Sequence, residues 1–549
     1  MRTSNWDMEV DVAVCGSGIG GLTAAIVAHD ERLNVVLVEK SKFLGGTSAY
    51  SWGMVWAPNN HVQRTAGIED SSEKGAEYLN YVNAGAYPID RGAQAAFLKF
   101  SVEAIEYLQK NAGIEWQIIP ISDYYYPSTP GSLGPGRTLE VKPIPTKTLG
   151  EWASKVLTSP HAMYFLTIKE LAKMGGAGAV KEFDYDLIEE RVREGVWATG
   201  TGLLAYMVRA AAVDRKIAIF RNTPVTKIIT EEGAVSGISV KKDGKDFHIR
   251  ARKGVILCIG GVDWHKEFPA YFESSPEWNS MVPPSVEGDN VVLAGQVGAV
   301  ILPVRAMYPH PGIHIPGEEH FEKKLYRWLS VEPALPHAII VNSKGKRFCD
   351  ESFYKTIGVR ICTFDPENAV FPNWPCYLIF DQNYTEKYPL GSIEPGKPIP
   401  EGLARKAETI RDLAEKLGID PSGLAETISH FNGYAINGKD EDYHRGERGV
   451  SKVMHGDLRH KPNPNLGPIE RAPFYGIKLS LVGVGQGAGF RINAEAQVIG
   501  ADGNIIPGLY ASGNCTALVE IGTAVVGGIG LSRAMTFGYI AAKQIANRT

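Results

Sequence analysis

Three glycines and one acid near the start of the chain are spaced for a nucleotide. Gly16, Gly18 and Gly21 fall in GSGIGG, between the apolar run Val10 to Val14 and the small residues from Leu22 to Val27. Read as strand, tight turn and helix, this segment brings backbone N–H groups and a positive helix end to a pyrophosphate, with Ser17 and Gly20 in the same turn. Glu39, with Lys40 beside it, closes the next apolar run NVVLVEK at the spacing where an acid takes the ribose hydroxyls of an adenosine cofactor. The loop that follows, KSKFLGGTSAYSWGMVWAPNN, offers further donors at Gly45 and Gly46 with the hydroxyls of Thr47 and Ser48. A nicotinamide fold has no obvious need of a second loop there, whereas a flavin nucleotide lies extended and needs donors along its length. FAD is therefore the expected cofactor. Trp52 and Trp56, just beyond, are expected to pack in the core.

The elements that must hold these residues can be followed along the chain. A polar helical region (Ser71 to Asn111) leads into the Pro- and Tyr-rich DYYYPSTPGSLGPGRTLE. A helix, a strand and an amphipathic hairpin turning at Glu231–Gly233 come next, with Val225 entering the hairpin. The strand KGVILCIGG ends at Gly260 and Gly261, a second place where backbone meets cofactor. From about residue 285 to 437 the composition shifts to prolines and aromatics, closed by helices at Thr409 to Leu417 and Pro421 to Asn432, so the segment is read as an inserted cap. The chain returns with PFYGIKLSLV, further strands and a helix from about Gly528 to Ala546. The expected fold is α/β: a Rossmann-like FAD-binding domain built from 1–284 and 438–549, interrupted by an α+β cap at 285–437.

With 549 residues and a formal net charge of −4, no basic surface argues for nucleic acid or an anionic membrane. The six cysteines show no CxxC spacing, and Cys15 and Cys258 sit in apolar strands, as reduced, buried thiols of a cytoplasmic protein would. No apolar run is long enough to span a bilayer. His310, His314 and His320 in HPGIHIPGEEH invite a metal reading, but the prolines break the helix that would align them, and no metal is expected.

GSGIGG, VEK, GGTSAYSWG, NTPVTKI, CIGG, IIVNSKGKRF, PFYGIK, GLYASGN and AMTFGYIAA occur in the order seen in the flavoprotein family that joins soluble fumarate reductases to 3-ketosteroid dehydrogenases. Over nearly its whole length the chain resembles that family. AMTFGYIAA and the DYYYP loop are closer to the ketosteroid dehydrogenase branch. The stretches that in fumarate reductases hold a histidine pair and an arginine for a dicarboxylate read LSLVGVGQGAG and EIGTAVVGGIG here, with neither residue type. The resemblance implies desaturation of a small hydrophobic cyclic ketone, a 3-ketosteroid or a smaller ring, with electrons passed on to an acceptor still to be identified. An enoate reductase or a flavin-binding redox protein without turnover are the alternatives.

Such a reaction removes a proton α to the carbonyl and a hydride from the β carbon, so it needs a base and donors for the enolate oxygen. The resemblance implies Tyr475 in PFYGIK as the donor to the ketone oxygen and Tyr354 in CDESFYKT as the base. Within Tyr124 to Tyr126, Tyr125 is implied as the hydroxyl that raises the basicity of the base; Tyr308 is a competing acid–base candidate. Arg347 and Glu351 are expected to form a structural pair. Gly513, Asn514, Gly530, Leu531 and Ser532 fall where the family brings backbone and short side chains to the flavin ring. No histidine or cysteine stands in an attachment motif, so FAD is expected to be non-covalent.

Overall fold

The central strand of the molecule is Met8–Cys15, whose last four residues are buried without interruption. Burial on both faces favours such an unbroken apolar run, the mark of a parallel sheet covered on two sides. The strand pairs in parallel with Val35–Val38 on one side and Lys245–Leu257 on the other. Ala218–Phe220 and Ile505–Ala511 extend the parallel run outward, and Gln497–Ile499 adds an antiparallel edge. The hairpin Val225–Glu231 and Ala234–Lys242 pairs with the first half of Lys245–Leu257. In this computed structural model, residues 6–120, 123, 129–161, 164–176, 178–273, 275–304, 309–485 and 488–548 are described.

Helix Ile19–Asp30 lies against this sheet and against the C-terminal helix Ile529–Ala546. The contact is close because glycines face each other: a Cβ added at Gly538 would stand 2.4 Å from the Gly20 carbonyl oxygen. At the turn before the first helix, Gly16 holds φ +98° with its Cα pressed on the Cys258 carbonyl, where a Cβ would sit 2.3 Å from the oxygen. Only glycine fits there.

A second core lies under the antiparallel sheet Ala338–Asn342, Cys376–Phe380, Phe474–Lys478 and Arg405–Ala407. Ile339, Ile379, Leu413, Leu424, Phe431 and Phe474 fill it, with helices Ile410–Leu417 and Pro421–Asn437 supplying the facing side chains. A hairpin, His310–His320 and Lys323–Trp328, pairs with Ser480–Gly483 in a separate sheet. The three histidines of HPGIHIPGEEH thus lie on a strand. Arg347 grips Glu351 through two bonds of 2.8 and 2.7 Å and also reaches Asp440, so the expected structural pair is present as part of a larger buried cluster. None of the six cysteines is in a disulfide. Among the described residues no helix is long and apolar enough to cross a membrane.

Candidate active site

A cavity of about 480 Å³ runs from the first βα turn to the central hairpin. Its cradle end is backbone. Gly16, Ser17, Gly18 and Gly20 line it at the start of helix Ile19–Asp30, whose N-cap residue Gly18 has no side chain to cap it and which has no acid in its first turn. The helix end is thus kept for an anion. Glu39 and Lys40 line the wall beside it. The Glu39 carboxylate accepts from Ser17 N–H at 2.9 Å, Ser17 Oγ at 2.6 Å and Ser41 N–H at 2.8 Å, while burial pushes its pKa up. Lys40 pairs with Glu287 and Asp289 at 2.5 and 3.0 Å.

The lining continues through Gly46, Thr47 and Ser48, past Val225 and Gly260, to Gly513 and Asn514. There it meets a second uncapped helix end at Gly530 and Leu531. Ser48 Oγ accepts from Ile19 N–H at 3.1 Å, tying the two loops together. At Gly46 an added Cβ would meet nothing within 4 Å, so the space over the loop is open. An elongated cleft with two helix N-termini, a buried acid and exposed backbone fits an extended dinucleotide such as FAD.

Four of the expected cofactor residues do not line this cleft. Gly21 is pressed against the Gly16 carbonyl, where a Cβ would stand 1.9 Å from the oxygen. Gly45 sits behind its loop, giving its N–H to Ser17 Oγ and facing Ala49 and Leu204. Gly261 is turned to Gly288, whose N–H its carbonyl accepts. Ser532 is 1 % exposed in the C-terminal helix, its hydroxyl without a partner among the described residues.

The other end of the cavity is made of side chains. Tyr354 begins helix Tyr354–Ile361 and lines the cavity, buried among the rings of Trp328 (4.8 Å between centroids), His310 (5.2 Å) and His455 (5.8 Å). Its neighbour Lys355 is half-buried, gives its ammonium to the Val525 carbonyl at 2.8 Å, and has its pKa lowered to about 8 by desolvation. Desolvation also holds His310 at about 3 and His455 at about 4, so both rings are neutral near pH 7. Trp328 lines the cavity, and its indole N–H is buried without a partner among the described residues. Tyr50, His161 and Met281 also line the cavity. Arg327 reaches the wall, but Glu318 takes its guanidinium in two bonds of 2.6 and 3.0 Å.

Tyr475 is not part of this chamber, which corrects the expectation placed on it. Strand pairing sets it opposite Phe380, whose ring stacks on it at 5.4 Å, and its hydroxyl donates to Gln382 Oε1 at 2.9 Å. Tyr124, Tyr125, Tyr126 and Tyr308 lie outside the described residues. Trp56 is in the core as expected, 1 % exposed, whereas Trp52 is half-buried and lines the cavity. Sequence reasoning passed over Tyr50, His161 and Trp328. Only Tyr50 carried a signal, two residues past Ser48 in the glycine-rich loop.

Compared with known proteins, residues 11–531 match the family described as FAD binding domain. The chain is 33 % identical to a 3-oxosteroid 1-dehydrogenase of Mycobacterium tuberculosis, covering 98 % of this chain and 99 % of the relative. It is 31 % identical to the 4-oxocyclohexanecarboxylate 2-dehydrogenase of Sinomonas cyclohexanicum, covering 98 % and 93 %. Among solved structures it is similar to the 3-ketosteroid Δ1-dehydrogenase of Sterolibacterium denitrificans in complex with 1,4-androstadiene-3,17-dione, with a TM-score of 0.89, 30 % identity and coverage of 98 % and 99 %.

Proposed function

This chain belongs to the FAD-binding-domain family, and from that premise we propose that it draws two hydrogens from adjacent carbons of a cyclic ketone and leaves an enone. FAD is its cofactor. The substrate class is a 3-oxosteroid or a smaller oxocyclohexane, the two kinds named in its relatives. The same reading divides the chain into a Rossmann-like unit (1–284 and 438–549) and an inserted α+β cap (285–437). It also puts the enzyme in the cytoplasm, handing electrons to a separate acceptor.

The observation that carries the proposal is Tyr354, a buried phenol on the wall of the same cavity as the nucleotide cradle. Bound there, FAD supplies the two-electron acceptor for the hydride leaving the β carbon. Tyr354 takes the proton from the α carbon, and the electron pair of that C–H bond becomes the new double bond. A phenol's ordinary pKa is near 10, so the phenolate needs help, a part that falls to Tyr125. The oxygen that gains charge needs a donor in place of Tyr475. Trp328 Nε1–H is proposed for it, being unpartnered and on the ring packed against Tyr354.

Dicarboxylate reduction is disfavoured by charge. The two cations on the cavity wall, among the described residues, are Lys40 and Arg327, and both are already paired with carboxylates. Neither is free to neutralise an incoming acid. Anaerobic mixing with a panel of substrates tests the reading. Flavin bleaching with 4-androstene-3,17-dione or an uncharged oxocyclohexane, with an enone or dienone as product, is the expected result. Bleaching by succinate alone would overturn it.

A further inference from the structure

Two polar groups of the chamber have no task in the reaction above. Tyr50 is 7 % exposed, and its hydroxyl is buried without a partner among the described residues. His161 packs edge-on against it, with ring centroids 5.4 Å apart, and both line the cavity. His161 Nε2 lies 2.9 Å from the Met281 carbonyl oxygen. A carbonyl only accepts, so that nitrogen carries the ring proton and Nδ1 presents a bare lone pair. Nδ1 is also buried and without a partner among the described residues. Desolvation lowers the ring's pKa to about 4, so it stays neutral over the working range.

Leaving buried polar atoms unpaired costs free energy, and groups so placed on a cavity wall are poised for a ligand. A donor beside an acceptor narrows the choice. A ketone oxygen could accept from Tyr50 but would leave Nδ1 unpaired, and a carboxylate would meet that lone pair with its own. An alcohol answers both, accepting from the Tyr50 hydroxyl and donating to His161 Nδ1. His320, whose ring is 5.8 Å from Tyr50, holds another buried nitrogen without a partner among the described residues.

We propose that Tyr50 and His161 form a subsite for a hydroxyl group, so that the substrate is a ring ketone that also bears an alcohol. The inference rests on the dehydrogenase reading and adds a requirement at the other end of the molecule. It separates hydroxy ketones from diketones and from keto acids of the same size.

The experiment uses the full chain loaded with FAD and two matched sets of probes. One is 17β-hydroxyandrost-4-en-3-one with its 17-oxo and 17-deoxy counterparts; the other is 4-(hydroxymethyl)cyclohexanone with 4-methylcyclohexanone and 4-oxocyclohexanecarboxylate. The wild type is expected to favour the alcohol in at least one set by about ten- to a hundredfold in kcat/KM, the scale of leaving one buried donor or acceptor unsatisfied. Tyr50→Phe and His161→Phe should each collapse that preference. Tyr50→Phe removes only an unpartnered hydroxyl, so melting at or above the wild-type temperature is expected and excludes misfolding as the cause. No preference for the alcohol in the wild type, or an equal loss on alcohol and deoxy probes in Tyr50→Phe, overturns the subsite. If no ring ketone is turned over at all, the dehydrogenase reading fails instead. Perturbation of the flavin spectrum by the alcohol probes then still reports whether Tyr50→Phe weakens their binding.

Discussion

The two ends of the cavity bind by opposite means. At the cradle, main chain does the work: two helix ends and two glycine loops, with Glu39 beside them, most of them from the first fifty residues and the rest from the returning C-terminal part. At the chamber, Tyr50, His161, Trp328 and Tyr354 come from four separated segments and meet only because the sheets and the central hairpin bring them together. The difference teaches where each end is fragile. The cradle fails when a backbone is pushed aside, the chamber when a single functional atom is removed.

The largest effect should come from the cradle. Gly16→Ala places a methyl 2.3 Å from the Cys258 carbonyl oxygen at φ +98°, and neither strand nor turn can yield without losing the sheet register. Little soluble flavin-loaded protein is expected; a yellow, monodisperse preparation with normal melting would break the contrast. Tyr354→Phe should then cost roughly a hundredfold or more in turnover, the scale of a general base, with substrate binding and flavin content kept. Loss of α-proton exchange in deuterated water checks it, and exchange at the wild-type rate would move the base elsewhere.

His310 offers a smaller and pH-dependent test. Its folded pKa of about 3 lies below the ordinary 6.5, so as pH falls from 6.5 toward 3 the unfolded chain binds the proton that the folded chain refuses. Stability contributed by the neutral ring is therefore present above 6.5 and is lost progressively below it. His310→Phe should relieve about 2 kcal/mol of that loss at pH 5, at 1.36 kcal/mol per unit, and do little at pH 8. Thermal melts at the two pH values measure it. The smallest effect is expected at Tyr475→Phe, which gives up one hydrogen bond to Gln382, worth about 1 kcal/mol, and should keep turnover within about threefold. A collapse of kcat with that variant would return Tyr475 to the chemistry.

The contrast also explains what could be read from the chain alone. Gly16, Ser17, Gly18 and Glu39 could be placed because their chemistry is local: a turn that excludes side chains must be written in glycine, and an acid at the end of the next strand follows from strand geometry. Gly21 carried the same signal for a different reason, since its missing side chain lets helix and turn touch rather than admitting the cofactor. Tyr475 shows the opposite case. PFYGIK does form a strand, but in a strand the side on which a residue emerges is set by the partner register. Pairing with Cys376–Phe380 sends Phe474 into the second core and Tyr475 onto Phe380. No residue near position 475 encodes that register. Trp328 and His161 were equally silent, since nothing in KKLYRW or SPHA marks a wall of a cavity completed far away in the chain.

The five-residue helix Gly46–Tyr50 touches both ends at once, carrying Ser48 on the cradle and Tyr50 in the chamber. For anyone engineering this scaffold it is a poor place to randomise, because selection for a new substrate there would keep discarding clones that can no longer retain their flavin. The hairpin His310–His320 and Lys323–Trp328 faces the same substrate, and among the described residues only its Arg327 and Trp328 reach the cavity wall. A library confined to that hairpin could travel through substrate space with the cofactor left behind as a constant.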